Sequence, residues 1–332
     1  MNTNTSNWHD FYKKLPNAHI LQSTAWGNLK SDFGWYAKTI VTEDIGSQVL
    51  FRKLPLGYTI AYIPKGPIGN FSNLENHIDE LDQLCKANKA VFLKIEPDLY
   101  ENDDKDGKFE TQMSHFGTQG KNIQPRRTVM VSLEGEPDDW LAKMKQKTRY
   151  NIRLAAKKDV VISQSTDLYK FQKLMEETGS RNEFGVHSIE YYRKAFSEFY
   201  PEGVRIFLAS YKEEPLAAIM VFFRGYLASY FYGASSNKER NRMPTYLLQF
   251  EAMKWAAKQG CTMYDLWGVP DADSAVLEQE FKERSDGLWG VYRFKRGFGG
   301  NVIRTVQSFD RVYMPLLYKL YLKKYGNNND SH

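Results

Sequence analysis

The 332-residue chain is too long for one small core, so two domains are expected, and 42% apolar with 26% charged residues is the make-up of an ordinary globular protein. A net charge of +5 is too mild to mark the whole chain as a nucleic-acid binder, and Cys85 and Cys261 offer neither a disulfide framework nor metal-ligand spacing. The polar start has no signal-peptide core and no window approaches the ~18 apolar residues of a membrane span, so a cytoplasmic protein is expected, with monomer as the default.

In chain order, Trp8–Leu15 reads as a short helix, and Ser23 or Thr24 caps a second one holding Trp26, Leu29 and Lys30. Strands are predicted at Trp35–Val41, Gln48–Lys53 and Thr59–Pro64, the last broken by Pro64-Lys65-Gly66-Pro67. Leu74, Ile78, Leu81, Leu84 and Cys85 recur at helical spacing, and Ala90–Ile95 follows as a buried strand ended by Glu96-Pro97. After a strand at Thr128–Leu133, one long helix is predicted over Pro137–Lys158. It carries Lys143, Lys145, Lys147, Arg149, Arg153, Lys157 and Lys158 with no acid between Trp140 and Lys158. Helices at Leu168–Arg181 and Ser188–Phe199 precede a hairpin of Val204–Tyr211 and Leu216–Arg224. A strand at Tyr226–Gly233, a helix at Pro244–Gln259 and a strand at Met263–Leu266 come next. Leu288–Lys295 and Val302–Gln307 read as a final strand pair, and Asp310–Tyr325 as a terminal helix rich in aromatics.

Both halves thus repeat a hairpin, a longer strand ending in a small-residue turn, a helix, and a strand ending in an acid, Glu96 or Asp265. The pattern suggests an α+β chain of two N-acetyltransferase-like (GNAT) domains in tandem. Domain 1 is placed at residues 1–132 plus 308–332, and domain 2 at residues 133–307. Fold alone does not give chemistry. An acyl-CoA transferase of this fold needs a glycine-rich turn to cradle pyrophosphate on backbone N–H groups. Here that segment reads Asn237-Lys238-Glu239-Arg240-Asn241-Arg242-Met243-Pro244, with no glycine and a proline that removes a donor.

Two stretches invite a charged ligand. Gly290–Gly300 packs three cations, three aromatics and four glycines into eleven residues, a composition suited to a phosphorylated or nucleotide-containing substrate. Its alternative is a strand running into a glycine turn. The basic run Lys143–Lys158, with Arg126 and Arg127 upstream, is a candidate nucleic-acid surface, against a merely solvated face or attraction to an anionic membrane. The six histidines show no ligand spacing, so neither a metal nor a cofactor is expected.

Taken together, Trp26-Gly27-Asn28-Leu29-Lys30, Pro64-Lys65-Gly66-Pro67, Gln124-Pro125-Arg126-Arg127-Thr128, Lys147-Thr148-Arg149-Tyr150-Asn151-Ile152-Arg153, Tyr232-Gly233-Ala234-Ser235, Tyr264-Asp265-Leu266-Trp267-Gly268 and Tyr292–Gly299 resemble the FemABX family. These are the non-ribosomal peptidyltransferases of peptidoglycan cross-bridge synthesis. The resemblance implies an aminoacyltransferase that moves an amino acid from aminoacyl-tRNA to the stem-peptide amine of UDP-MurNAc-pentapeptide or the lipid-linked precursor. It also implies a compact, FemX-like form, because the helix ending at Gln259 runs straight into the strand at Met263 and leaves no room for a helical coiled-coil arm.

By motif, Lys30 would meet the acceptor's diphosphate, Tyr191 and Tyr232 would line the acceptor cleft, and Phe294 and Lys295 would hold the tRNA acceptor end and the reacting ester. Lys147, Arg149, Arg153 and Arg296 are the tRNA-binding candidates. Where relatives use an arginine on the diphosphate, this chain has His187, with Arg181 as the candidate substitute. Glu96 and Asp265 are candidate bases, against a structural hydrogen bond at a strand end. The other readings are a GNAT-superfold N-acyltransferase with a different activated acyl donor, and a non-enzymatic binder of nucleic acid or membrane surface. The terminal helix Asp310–Tyr325 is expected to pack on the first domain, with transient contact to a membrane surface as the other reading.

Overall fold

A computed structural model describes residues 3–104, 106–182 and 185–325. The chain divides into two compact units, Met1–Arg126 with Ile303–His332, and Arg127–Val302. The sequence placed these boundaries at 132 and 308. The first falls earlier because the strand beginning at Arg127 pairs within the second unit, and the second because Thr305 bridges to Tyr100 and the Val306 N–H donates to the Leu99 carbonyl in the first.

In chain order the strands are β1 (Trp35–Thr42), β2 (Ile45–Lys53), β3 (Thr59–Pro64), β4 (Ile68–Gly69), β5 (Ala90–Glu96), β6 (Thr118–Gly120) and β7 (Arg127–Ser132). They continue as β8 (Val161–Ser165), β9 (Val204–Tyr211), β10 (Glu214–Arg224), β11 (Leu227–Ser235), β12 (Met263–Val269), β13 (Asn301–Arg304) and β14 (Ser308–Val312). The first unit's sheet runs β1-β2-β3-β5-β14-β6, with β4 paired to β2; the second runs β13-β7-β12-β11-β10-β9-β8.

The expected repeat is present. In the first unit an antiparallel β1-β2-β3 passes through helix Leu74–Ala87 to β5, which lies parallel to β3. In the second, β9-β10-β11 passes through helix Pro244–Lys258 to β12, parallel to β11. Each crossover helix buries one stripe. Ile78, Leu81 and Cys85 meet Val49, Phe51, Ile63 and Leu93, while Leu248, Ala252 and Met253 meet Ile219, Val221, Tyr264 and Leu266. Only four residues separate Lys258 from Met263, so no helical arm interrupts the second unit.

Three sequence expectations are corrected. The basic helix is broken into Pro137–Lys143 and Gln146–Lys157, because Met144 and Lys145 are extended and the Lys145 N–H donates to the Gly297 carbonyl at 2.9 Å. Leu288–Lys295 is not a strand but, from Trp289, a helix: the buried positions Trp289, Tyr292 and Lys295 recur every three residues, and that tertiary demand overrides the β-like Val-Tyr-Arg-Phe composition. The terminal helix begins at Pro315, because Ser308–Val312 forms β14, the strand by which the C-terminal segment enters the first sheet between β5 and β6.

Candidate active site

The two parallel strand pairs differ at their ends. β3 and β5 stay paired as far as Pro64 and Glu96. β11 and β12 pair only at Leu227–Met263, Ala228–Tyr264 and Ser229–Asp265, although β11 runs on to Ser235 and β12 to Val269. Both strands bulge just past the last pair. Phe231 is the extra residue of β11 against β10, and Leu266-Trp267 face a single residue of β7. Bulges re-aim side chains and end pairing, so the strands part here, and the Phe231 and Trp267 rings meet with centroids 4.4 Å apart.

Asp265 builds the β12 bulge. Its Oδ1 accepts the Trp267 N–H at 2.7 Å and the Thr128 hydroxyl, and Trp267 takes a left-handed φ of 61°. At the bend two carbonyls face one side chain. Lys295, at the last turn of helix Trp289–Lys295, donates its Nζ to both, to Trp267 O at 3.1 Å and Gly268 O at 2.7 Å. The lysine is buried and lies over the Tyr230 ring at 5.8 Å. Burial pulls its pKa down to about 7, with Asp265 pulling the other way. A cation whose charge balances on neutral pH therefore stands beside the gap between two parted strands.

Three of the glycines around it are required by the protein's own packing. A Cβ on Gly297 would strike the Thr148 hydroxyl at 2.2 Å, one on Gly299 the Lys143 backbone at 2.7 Å, and one on Gly300 the Met130 carbonyl at 2.6 Å. They let residues 297–300 lie against the helix break and β7.

Phe294 packs edge-on to Tyr246 and Phe298, each 5.0 Å away. Tyr246 sits in the first turn of helix Pro244–Lys258, where a coenzyme cradle would lie. That turn is occupied by the protein itself: Arg242 donates to the Lys158 carbonyl at 2.7 Å and stacks on Tyr211 at 3.3 Å.

Tyr191, His187 and Tyr232 do come together, as the sequence suggested. His187 stacks on Tyr191 at 3.8 Å, and the Tyr191 and Tyr232 hydroxyls share a hydrogen bond at 3.3 Å. Burial, then the neighbouring Tyr191, holds the Tyr232 phenol well above its usual range. Arg181 donates to the Ser235 carbonyl at 2.8 Å, which fixes its guanidinium at the end of β11. Burial, reinforced by Arg240, lowers its pKa. Lys30 lies in the first unit, 5.1 Å over the ring of the buried Trp26.

The remaining candidates separate by exposure. Lys147 and Arg153 are exposed on helix Gln146–Lys157. Arg149 turns back to the Met144 carbonyl, and Arg296 is held by Glu278, with its Nε 2.8 Å from Oε1. Arg126 pairs with Glu101 at 2.8 Å, and Arg127 with Asp271 and Asp273 at 3.2 and 2.9 Å, so neither upstream arginine extends a basic surface. Glu96 is buried and accepts from the Tyr62 hydroxyl and the N–H groups of Ile123 and Gln124; burial raises its pKa. Both candidate carboxylates therefore do structural work at strand ends. Sequence reasoning missed Phe231, Tyr230 and Tyr246. The bulge that gives Phe231 its place leaves no period in the sequence, though Trp-Gly after a buried strand is a weak sign of the second one.

A family model for the FemAB family matches residues 3–214 and 207–324. The chain belongs to the FemAB family. Among curated relatives, the lipid II:glycine glycyltransferase of Staphylococcus aureus (strain USA300) is 27% identical over 405 residues, covering 95% of this chain and 93% of that protein. That alignment is longer than this 332-residue FemAB chain, so the relative carries stretches without a counterpart here. Among solved structures, the crystal structure of FemX superposes with a TM-score of 0.84 at 24% identity, covering 96% of this chain and 98% of that one. A tandem GNAT protein from the clavulanic acid biosynthesis pathway gives a TM-score of 0.50 at 9% identity, covering 93% and 94%. The FemAB protein thus has the expected fold, two N-acetyltransferase-like domains in tandem without a coiled-coil arm.

Proposed function

We propose that this chain is an aminoacyltransferase that carries an amino acid from aminoacyl-tRNA to the stem-peptide amine of a peptidoglycan precursor, forming interpeptide bridges. The acceptor is the lipid-linked precursor or UDP-MurNAc-pentapeptide. The observation that carries this reading is the parted β11–β12 pair with Lys295 buried on the carbonyls of Trp267 and Gly268. Membership of the FemAB family and the glycyltransferase relative support the acceptor class. The protein-filled turn at residues 239–243 speaks against coenzyme A as donor.

In this reading the acceptor nitrogen attacks the ester carbonyl, the new C–N bond forms, and the C–O bond to the ribose breaks. The proton lost by the amine ends on the ribose hydroxyl. Activated esters need positioning and oxyanion stabilisation more than a strong acid. Lys295 supplies the donor to the oxyanion, and Phe294 with Tyr246 flanks the tRNA acceptor end. Tyr191, Tyr232, His187 and Arg181 hold the acceptor, and the family motif alone makes Lys30 the candidate for its diphosphate. Lys147 and Arg153 take tRNA phosphates, while Arg149 and Arg296 hold the surrounding segments in place. Neither Glu96 nor Asp265 serves as the base.

Transfer of radiolabelled amino acids from a total charged-tRNA pool to each acceptor, with and without RNase, tests this directly. RNase-sensitive product establishes the donor and names the amino acid. RNase-insensitive transfer would replace the donor with another activated acyl compound. Glu96→Gln is expected to cost about 1–3 kcal/mol of stability, because an amide cannot accept as the carboxylate does, and to leave the rate per folded molecule unchanged. A fall of about 10²–10⁴ in that rate, with the fold intact, would make Glu96 the base after all.

A further inference from the structure

The terminal helix Pro315–Tyr325 has two unlike faces. Leu317, Tyr318 and Tyr321 turn inward, with the Phe92 ring 5.1 Å from Tyr318 and 5.0 Å from Tyr321. On the other side Leu316 is 78% and Leu320 62% exposed, next to exposed Lys319 and Lys323. At 100° per residue these four fall within one stripe opposite the packed one. The inward cluster also takes Leu54 and Tyr58, which flank the turn Pro55–Gly57. At the tip of that turn Leu56 is 91% exposed and held at a φ of 62°, a strained conformation for a leucine. Arg52, which lies close enough to Tyr321 to act on its ionisation, and Lys53 are exposed beside it. From Arg311 to Tyr325 there are four cations and no acid.

We propose that the exposed stripe of the terminal helix, Leu316 and Leu320 beside Lys319 and Lys323, docks on an anionic lipid surface, with the neighbouring turn that carries Leu56, Arg52 and Lys53 adding to the contact. Exposed leucines enter the boundary of the bilayer while lysine stems run up to its phosphates. No helix among the described residues is long and apolar enough to cross a membrane, so the contact is made from one side. Charge selects the occupant. A second copy meeting this face about a two-fold axis would bring lysines against lysines, whereas an anionic leaflet complements all of them. The inference deepens the lipid-linked form of the acceptor and rests on that reading for its purpose. It is measured with no substrate present, so either can fail without the other.

The experiment is flotation of the full chain with phosphatidylcholine vesicles and with phosphatidylcholine–phosphatidylglycerol vesicles. Binding is expected to the anionic vesicles alone and to weaken as salt rises. Lys319→Gln/Lys323→Gln is expected to weaken it about thirtyfold, at ~1 kcal/mol for each lysine removed. Leu316→Ser/Leu320→Ser is expected to weaken it at least about tenfold, and both variants should keep the parent's circular dichroism and its transfer to UDP-MurNAc-pentapeptide. Equal binding to neutral vesicles, no binding to anionic ones, or variants that float like the parent would overturn the proposal. So would a dimer, seen by sedimentation equilibrium, that the leucine variant abolishes while vesicle binding is absent.

Discussion

Lys295→Met is expected to lower kcat for aminoacyl transfer by about 10²–10³ while leaving the protein folded. Methionine fills the same volume without charge, so the loss isolates the ammonium from its packing. Two carbonyls, of Trp267 and Gly268, lose their donor, which lowers stability. Relief of a desolvated charge offsets part of that cost. The sign with pH follows from the folded pKa of about 7 against ~10.4 in the unfolded chain. Below pH 7 the fold bears the full cost of holding this charge. Between pH 7 and ~10 the unfolded chain binds the extra proton, so this group's contribution to stability rises with pH. Lys295→Met should remove that slope from thermal unfolding measured across the window.

The same pKa shapes the rate. A lysine-like acceptor amine is free base in a fraction that rises tenfold per pH unit up to ~10.4. Multiplied by the cationic fraction of Lys295, log(kcat/KM) should climb with unit slope to about pH 7 and then level off. In Lys295→Met the slope should continue past pH 7. A parent profile with no break there, or a variant that transfers at the parent's rate, would remove Lys295 from the mechanism.

Asp310→Ala is expected to destabilise the first unit by about 3–5 kcal/mol. Asp310 and Lys94 are directly opposed on β14 and β5, 216 residues apart in sequence, with Lys94 Nζ 2.6 Å from Oδ1. Both are buried, and the Tyr318 hydroxyl donates to the other carboxylate oxygen at 2.8 Å. Removing the carboxylate strands an ammonium inside the sheet and frees the terminal helix from its anchor. Gly120 sits against the same group, where a Cβ would come within 2.7 Å of it. Urea unfolding should show the loss, and Lys94→Met/Asp310→Leu should recover most of it, since a buried pair replaced as a whole costs little. A single substitution that costs under about 1 kcal/mol, or a double one as damaging as the single, would mean that the pair does not hold the C-terminal segment.

Much of this was legible in the chain itself. Apolar periodicity placed the first crossover helix and apolar runs the buried strands β5 and β12, because each of those elements buries a continuous stripe or run that sequence order preserves. The repeated element order gave two domains of one type, and a proline with no glycine before helix Pro244–Lys258 removed the usual coenzyme cradle. The ordered motifs led to the FemAB family and brought Tyr191, His187 and Tyr232 forward together. What the sequence could not carry were features set by contacts distant along the chain. The helix at Trp289–Lys295 looks like a strand in composition and is helical because Trp289, Tyr292 and Lys295 must all face inward. The break at Met144-Lys145 exists because Gly297 takes the Lys145 N–H. The paired bulges at Phe231 and Trp267 obey no residue period, and the second is held by Asp265 meeting Thr128 from a strand 137 positions away. Composition and period determined which elements form, since those are local and additive along the chain. Only the tertiary structure decided where two strands part and which lysine is desolvated beside the gap, because burial and charge there depend on groups that the fold alone brings together.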